Sequence, residues 1–203
     1  MTPLRVGVLA SGRGSNLQAI LDACARPAFP ARVVMVISDR ERAAALARAQ
    51  AAGIEAMFLN PKDFGDRETY DAAITRMMEE RQVGLVCLAG FMRILSPAFV
   101  RAWRGRALNI HPSLLPAFAG LHPQRQALDH GAKVSGATVH FVDEGVDTGP
   151  IVLQSAVLVQ PDDTEDTLAA RILAEEHRLY PEAVRLFALG RLRIAGRQVI
   201  VER

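Results

Sequence analysis

Three side chains stand out for their chemistry, Asn109, His111 and Asp147. The segment Asn109-Ile110-His111-Pro112-Ser113-Leu114-Leu115-Pro116 places an amide and an imidazole two residues apart, where an apolar run gives way to prolines. On an extended chain, residues i and i+2 share a face, so Asn109 and His111 point together while Ile110 points into the other layer. The amide can donate to an oxygen, and the imidazole can carry a proton near neutral pH. Further on, His140-Phe141-Val142-Asp143-Glu144-Gly145-Val146-Asp147-Thr148-Gly149-Pro150 sets Asp147 between two glycines in a loop able to reach a neighbouring imidazole. Blander readings stay open here: an Asn and a His closing a strand end, and solvated acids in a turn. The loop lacks the alternating acids of a calcium-binding loop. A two-histidine, one-carboxylate metal set from His111, His140 and Asp147 is conceivable, but no metal is expected.

A second candidate is Gly12-Arg13-Gly14-Ser15-Asn16-Leu17, which follows an apolar run and opens a helical pattern. Asp39, ending the next apolar run, stands where a dinucleotide-binding protein reads a ribose. That reading fails at residue 17, because the third glycine of the dinucleotide fingerprint is replaced by Leu17, whose side chain obstructs close helix-to-strand packing. A P-loop fails as well, since no Gly-Lys-Ser/Thr follows. The remaining functional reading is an anion site, in which free amides at a helix start, with Ser15 and Asn16, suit a phosphate monoester. Its bland counterpart is a plain helix cap after a tight turn. A third segment, Leu88 to Ser96, leaves an apolar run through Gly90 and carries a single Arg93; it reads either as the edge of the core or as the wall of a pocket for a flat aromatic ligand.

These residues need a scaffold. Leu4–Ala10, Arg32–Ser38, Ala56–Leu59 and Val83–Ala89 read as strands. Between them come helical patterns from Leu17 to Cys24, Glu41 to Ala52 and Arg67 to Arg81. The alternation predicts an α/β fold with a Rossmann-like parallel sheet flanked by helices. After Gly90 the texture is broken by prolines, and function is expected to concentrate there. Ala107–His111, Ser135–Val142 and Ile151–Val159 read as strands, the last ones bringing antiparallel pairing into the C-terminal half. A short helix is expected at Gln124–His130 and a long one from Asp163 to Ala188, with acids near its start to suit the helix dipole. A hairpin is expected around Ala195-Gly196-Arg197. With no repeat and no long linker, the 203 residues predict a single domain, its halves covering about 1–100 and 101–203.

Composition narrows the function classes. Half of the residues are hydrophobic and 23% are charged, which a disordered chain would not show. A net charge of +2 gives no field for nucleic acid or a membrane surface. Lys62 and Lys133 are the only lysines. Cys24 and Cys87 are too few for a disulfide framework and lack the spacing of a zinc site. No signal-like start and no membrane-length apolar run appear, so a soluble cytoplasmic protein is expected.

Taken together, five segments resemble the folate-dependent glycinamide ribonucleotide formyltransferases of purine biosynthesis. They are Ser11 to Asn16, Leu88 to Ser96, Asn109 to Pro116, Gly120-Leu-His122 with Arg125 to Leu128, and Val139 to Asp143 continuing through Asp147 to Pro150. Related formyl-transferring families share the Asn-x-His pair and the later Asp. The Gly-Ser-Asn loop, the Gly120-Leu-His122 segment and a chain ending soon after one domain resemble this family in particular. A methionyl-tRNA formyltransferase would carry a further C-terminal domain, and a formyltetrahydrofolate deformylase an N-terminal one.

The resemblance implies a formyltransferase fold, with glycinamide ribonucleotide and 10-formyltetrahydrofolate as small-molecule substrates, no metal, and a monomer or homodimer. It makes Asn109, His111 and Asp147 catalytic. Gly14, Ser15 and Asn16 would hold the substrate phosphate together with Arg67, and Glu176 would bind the ribose or glycinamide portion. Phe91, Met92, Arg93, Ile94 and Leu95, with Asp143 and Val146 of the acidic loop, would form the folate pocket. Asp147 is expected to orient His111 and to favour its charged form. The chain departs from the family pattern at Arg13 and at Ala117-Phe-Ala-Gly120, both loop details, and Leu173 lies where some relatives have a polar contact. Rival readings are a formyl-folate hydrolase, a non-catalytic nucleotide sensor and a metallohydrolase.

Overall fold

The computed structural model describes residues 2–202. Compactness divides the chain between Leu108 and Asn109.

The N-terminal unit is built on four parallel strands. They are β1 (Leu4–Leu9), β2 (Ala31–Ser38), β3 (Glu55–Phe58) and β4 (Leu85–Leu88), in the order β3-β2-β1-β4. Val6, Val8, Leu9, Val36, Ile37, Val86 and Cys87 are buried, as strands covered on both faces require. The helices are α1 (Ser15–Cys24), α2 (Ala44–Ala51), α3 (Arg67–Glu80) and α4 (Pro97–Ala102). Leu17, Ile20 and Leu21 bury one face of α1.

Helix α2 begins three residues later than its alanine-rich pattern predicts. Glu41 and Arg42 are exposed and lie in the turn before it, where no apolar face draws them into a helix. The six-residue α4 escapes a periodicity search because it is shorter than two turns. Its start signals are nonetheless complete: Pro97 follows the N-cap Ser96, whose hydroxyl accepts from Phe99 N at 3.2 Å. Phe99 and Trp103 anchor it in the core, with ring centroids 6.2 Å apart.

Strand β5 (Ala107–His111) carries the boundary. The C-terminal unit then contains α5 (Pro123–Asp129), β6 (Val134–Phe141), β7 (Ile151–Leu158), α6 (Glu165–Ala188), β8 (Leu192–Ala195) and β9 (Gln198–Val201). Strands β6 and β7 pair antiparallel, β8 and β9 form the expected hairpin, and β9 meets β7 through Ile151 and Gln198. Helix α6 packs on β6 and β7. It is capped by a reciprocal pair in which Thr164 Oγ1 accepts from Thr167 N at 3.2 Å and Thr167 Oγ1 accepts from Thr164 N at 2.9 Å.

Pro181 lies inside α6 without ending it. An interior proline costs a helix roughly 3 kcal/mol. Around it Leu179, Tyr180, Ala183 and Val184 are buried. Each large apolar side chain contributes about 1.5–3 kcal/mol, so packing exceeds the penalty. Among the described residues no helix is long and apolar enough to cross a membrane.

Candidate active site

Strand alternation does for Asn109 and His111 what their spacing predicts. Asn109 Nδ2 lies 3.4 Å from Asp147 Oδ1, and His111 Nδ1 lies 3.2 Å from Asp147 Oδ2. One carboxylate thus divides its two oxygens between the amide and the imidazole, while Ile110 is buried on the other side. Asp147 reaches them from a left-handed backbone conformation, φ 55°, which costs a non-glycine residue on the order of 1 kcal/mol. Gly149 makes that loop possible, since a Cβ there would lie 1.7 Å from the Phe141 carbonyl oxygen. Gly120 N also donates to Asp147 Oδ2 at 2.9 Å. The strain is therefore held by several partners at one position, as at functional sites generally.

His140 completes the cluster. Its Nδ1 is 2.8 Å from the Phe141 carbonyl, which requires a proton on that nitrogen and leaves Nε2 to accept from Asn109 Nδ2 at 3.1 Å. The amide of Asn109 is thereby oriented, nitrogen toward His140 and Asp147. The longer of its two contacts, to Asp147, is the one a substrate oxygen could displace. The sequence leaves the role of His140 undecided, yet it carries a signal. Thr138 and His140 are two apart on β6 and share the face that meets the Asn-x-His segment. Thr138 Oγ1 donates to Ser113 O at 2.7 Å and accepts from Leu115 N at 3.1 Å, and Gln154 Nε2 donates to both Leu115 O and Thr138 Oγ1 at 2.9 Å. These bonds pin the proline-rich loop to β6 and β7.

Asp147 acts to raise His111, as expected, but burial outweighs it. Burial pushes His111 below its ordinary value by more than the Phe118 carbonyl, 2.9 Å from Nε2, and the Asp147 carboxylate raise it; His140 adds to the lowering. The net direction is downward because the ring is withdrawn from water, which penalises its charged form. Asp147 shows the opposite outcome. Burial acts to raise it, and the donors around it, the Gly120 N–H and His111 among them, outweigh burial and hold the carboxyl below its usual range. The result is an anion beside an imidazole that, once protonated, gives its proton up readily.

The acidic loop and α6 hold the other expected residues of this unit. Asp143 Oδ1 accepts from Gly145 N at 3.2 Å and from the Thr148 hydroxyl at 2.6 Å, so it shapes the loop that carries Asp147. Val146 is exposed at the tip, and Glu176 is buried on α6. Among the described residues no group of three or more His, Cys, Asp and Glu side chains is spaced to hold a metal ion.

In the N-terminal unit, Gly14 is the N-cap of α1 at φ 68°, with no side-chain cap and no acid in the first turn. The helix start thus presents its amides and the positive end of its dipole without an internal anion. Gly14 has no room for a side chain, since a Cβ would lie 2.7 Å from Ala45 Cα. Ser11 Oγ accepts from Met92 N at 2.9 Å, tying the start of this loop to the segment after β4.

That segment divides its five expected pocket residues. Phe91 and Leu95 are buried in the core, as the core-edge reading has it, while Met92, Arg93 and Ile94 are exposed. The Arg93 guanidinium lies over the Tyr70 ring, 5.1 Å from its centroid. Burial raises Asp71 against the lowering effects of the Ser96 amide and of the Arg67 and Arg93 charges. Arg67 opens α3 and meets the exposed Glu68 at 3.5 Å.

Comparison with known proteins agrees with this geometry. Residues 4–184 match the family described as formyl transferase. A trifunctional purine biosynthetic protein of Drosophila melanogaster is 55% identical over 92% of this chain, although the chain spans only 14% of that protein's length. Phosphoribosylglycinamide formyltransferase of Escherichia coli is 47% identical over 94% of this chain and 90% of its own. The crystal structure of glycinamide ribonucleotide transformylase 1 from Symbiobacterium toebii superposes with a TM-score of 0.97 at 55% identity, covering 99% of this chain and 95% of the other. With the Asn109, His111 and Asp147 cluster in place and the match running through both units, the chain belongs to the formyl transferase family.

Proposed function

We propose that the chain transfers the formyl group of 10-formyltetrahydrofolate to the primary amine of glycinamide ribonucleotide, a step of purine biosynthesis. The observation that carries this reading is the division of the Asp147 carboxylate between Asn109 Nδ2 and His111 Nδ1. Attack of an amine on a formyl carbon builds negative charge on the oxygen and positive charge on the nitrogen, so the site must serve both. Asn109 Nδ2 would donate to the oxygen by giving up its long contact with Asp147, a role worth on the order of 10²- to 10³-fold in rate. His111, protonated in the complex, would donate to the same oxygen and pass its proton toward the leaving folate nitrogen, about 10²- to 10⁴-fold. Asp147 would orient the imidazole and receive the amine's proton through water.

Binding roles follow the same division of residues. The amides and side chains of Gly14, Ser15 and Asn16 would hold the substrate phosphate, and Glu176 its sugar or glycinamide portion. Met92 and Ile94 offer exposed apolar surface to the flat folate ring, Phe91 and Leu95 support them from the core, and Asp143 and Val146 would contribute to folate binding. Arg67, expected on the phosphate, is assigned here to the acidic end of the folate beside Arg93, since both guanidinium charges act on Asp71. Both substrates are small molecules, and a monomer or homodimer acting in the cytoplasm without nucleic acid or a membrane is the working state of this reading.

The test is release of deformylated folate by purified protein, with and without glycinamide ribonucleotide, in the presence of a chelator. Release only with the ribonucleotide is expected. Release without it would make water the acceptor and the protein a hydrolase, loss of release to the chelator would bring back metal chemistry, and no release at all would remove the enzyme reading.

A further inference from the structure

The glycine loop does not hold its shape alone. Its carbonyls are occupied by α2, a helix that none of the site assignments involve. Ala45 N, in the first turn of α2, donates to Gly12 O at 3.1 Å, and one turn further on Arg48 Nε donates to Arg13 O at 2.9 Å. The same guanidinium reaches α1, where Arg48 Nη1 donates to Gln18 Oε1 at 3.1 Å, and Gln18 Nε2 donates in turn to Asp22 Oδ1 at 2.8 Å. Arg48 thus grips the chain on both sides of the α1 N-terminus.

In a trans peptide the C=O and N–H point in opposite directions. Holding Arg13 O toward α2 therefore turns the Gly14 N–H away from α2, and the bond from Ala45 to Gly12 O does the same for the Arg13 N–H. Gly14 is also the residue whose left-handed conformation sets the turn, so the peptide Arg48 grips is the one that leads into it. The grip is a charge-assisted hydrogen bond, and among the described residues Arg48 forms no ion pair that would draw its guanidinium elsewhere. Its remaining positive charge adds to that of the helix start.

We propose that Arg48 is a positioning residue for phosphate recognition: it locks the Arg13–Gly14 peptide so that the loop amides are aimed at the phosphate before substrate arrives. The inference rests on the assignment of the glycine loop to the substrate phosphate. It makes Arg48 matter for one end of one substrate while the reacting groups, Asn109, His111 and Asp147, are untouched.

The experiment measures KM and kcat of the wild type, Arg48→Ala and Arg48→Lys with glycinamide ribonucleotide and with the same compound lacking its phosphate, together with KM for the folate. Loss of preorganisation in Arg48→Ala is expected to raise KM for the ribonucleotide on the order of tenfold. Values of kcat, KM for the folate and kcat/KM for the unphosphorylated compound should stay within about twofold of wild type. Arg48→Lys should recover part of the loss, since an ammonium reaches Arg13 O but lacks the fork that also takes Gln18. An unchanged ribonucleotide KM in Arg48→Ala, with a wild type that prefers the phosphorylated compound, overturns the role of Arg48 and leaves the loop assignment standing. A wild type indifferent to the phosphate removes the loop assignment, and this proposal with it. Equal losses with both compounds and with the folate would make Arg48 a fold residue only and also overturn the proposal.

Discussion

At the residue scale the site is a contest between burial and partners. Asp147 keeps its charge because donors surround it, so replacing it by Asn should retain the shape and lose the anion. Asn also tolerates the left-handed backbone. Asp147→Asn is therefore expected to lower kcat about 10²- to 10⁴-fold with little change in either KM. A variant that lost only affinity for the ribonucleotide would remove Asp147 from the chemistry.

The same contest sets a pH dependence. His111 and Asp147 both have native values below their ordinary ones, 6.5 and 3.8. In each interval between native and ordinary value the unfolded chain binds a proton that the native protein does not. Stability from these groups is complete above about pH 7, falls as pH drops below 6.5 through the native value of His111, and falls again below 3.8 with Asp147. Urea midpoints at pH 7.5 and 5.5 should show the first decline in wild type, and His111→Asn should flatten it. Equal declines in both proteins would locate the titrating group elsewhere.

At the scale of elements, caps and close approaches decide. Thr164→Ala removes an acceptor for the Thr167 amide and should destabilise the protein by about 1 kcal/mol, read as a shift in the urea midpoint. Thr164→Ser should retain most of it, and a Ser variant as weak as Ala would show that the methyl group, not the hydroxyl, matters. Gly149→Ala puts a Cβ 1.7 Å from the Phe141 carbonyl oxygen. The loop must then move, and with it Asp147, so the variant should lose kcat along with thermal stability. Retained kcat would mean that the loop has slack the geometry does not show. Helix α4 illustrates why short elements are hard to read. Its cap, Ser96, and its proline are visible in the sequence, but Phe99 and Trp103 become a buried face only once Asp71 and Thr75 of α3 receive Ser96 N at 2.5 Å and the Trp103 indole at 3.3 Å.

At the scale of the whole molecule, the two units divide the proposed work. Arg67 and Arg93 lie in residues 2–108, and Asn109, His111 and Asp147 in 109–202. Arg67→Ala and Arg93→Ala are expected to raise KM for the folate several-fold with kcat preserved, as loss of uniform binding does, whereas Asn109→Ala should lower kcat with both KM values preserved. If Arg67→Ala instead raised KM for the ribonucleotide alone, Arg67 would return to the phosphate. What the sequence determined by itself was local or periodic. Apolar runs alternating with helical patterns prescribed the parallel sheet, the i, i+2 rule put Asn109 and His111 on one side, and Leu17 excluded a dinucleotide loop. Those signals act over a few residues, where covalent geometry and pattern are enough. Tertiary structure decided what depends on partners distant in the chain: that His140 orients Asn109 across 31 positions, that burial lowers His111 where its neighbour alone would raise it, that Phe91 and Leu95 belong to the core while Met92 and Ile94 stay exposed, and that the charges of Arg67 and Arg93 both act on Asp71. Desolvation and long-range hydrogen bonds arise only when the chain has closed around them, so no spacing in the sequence announces them.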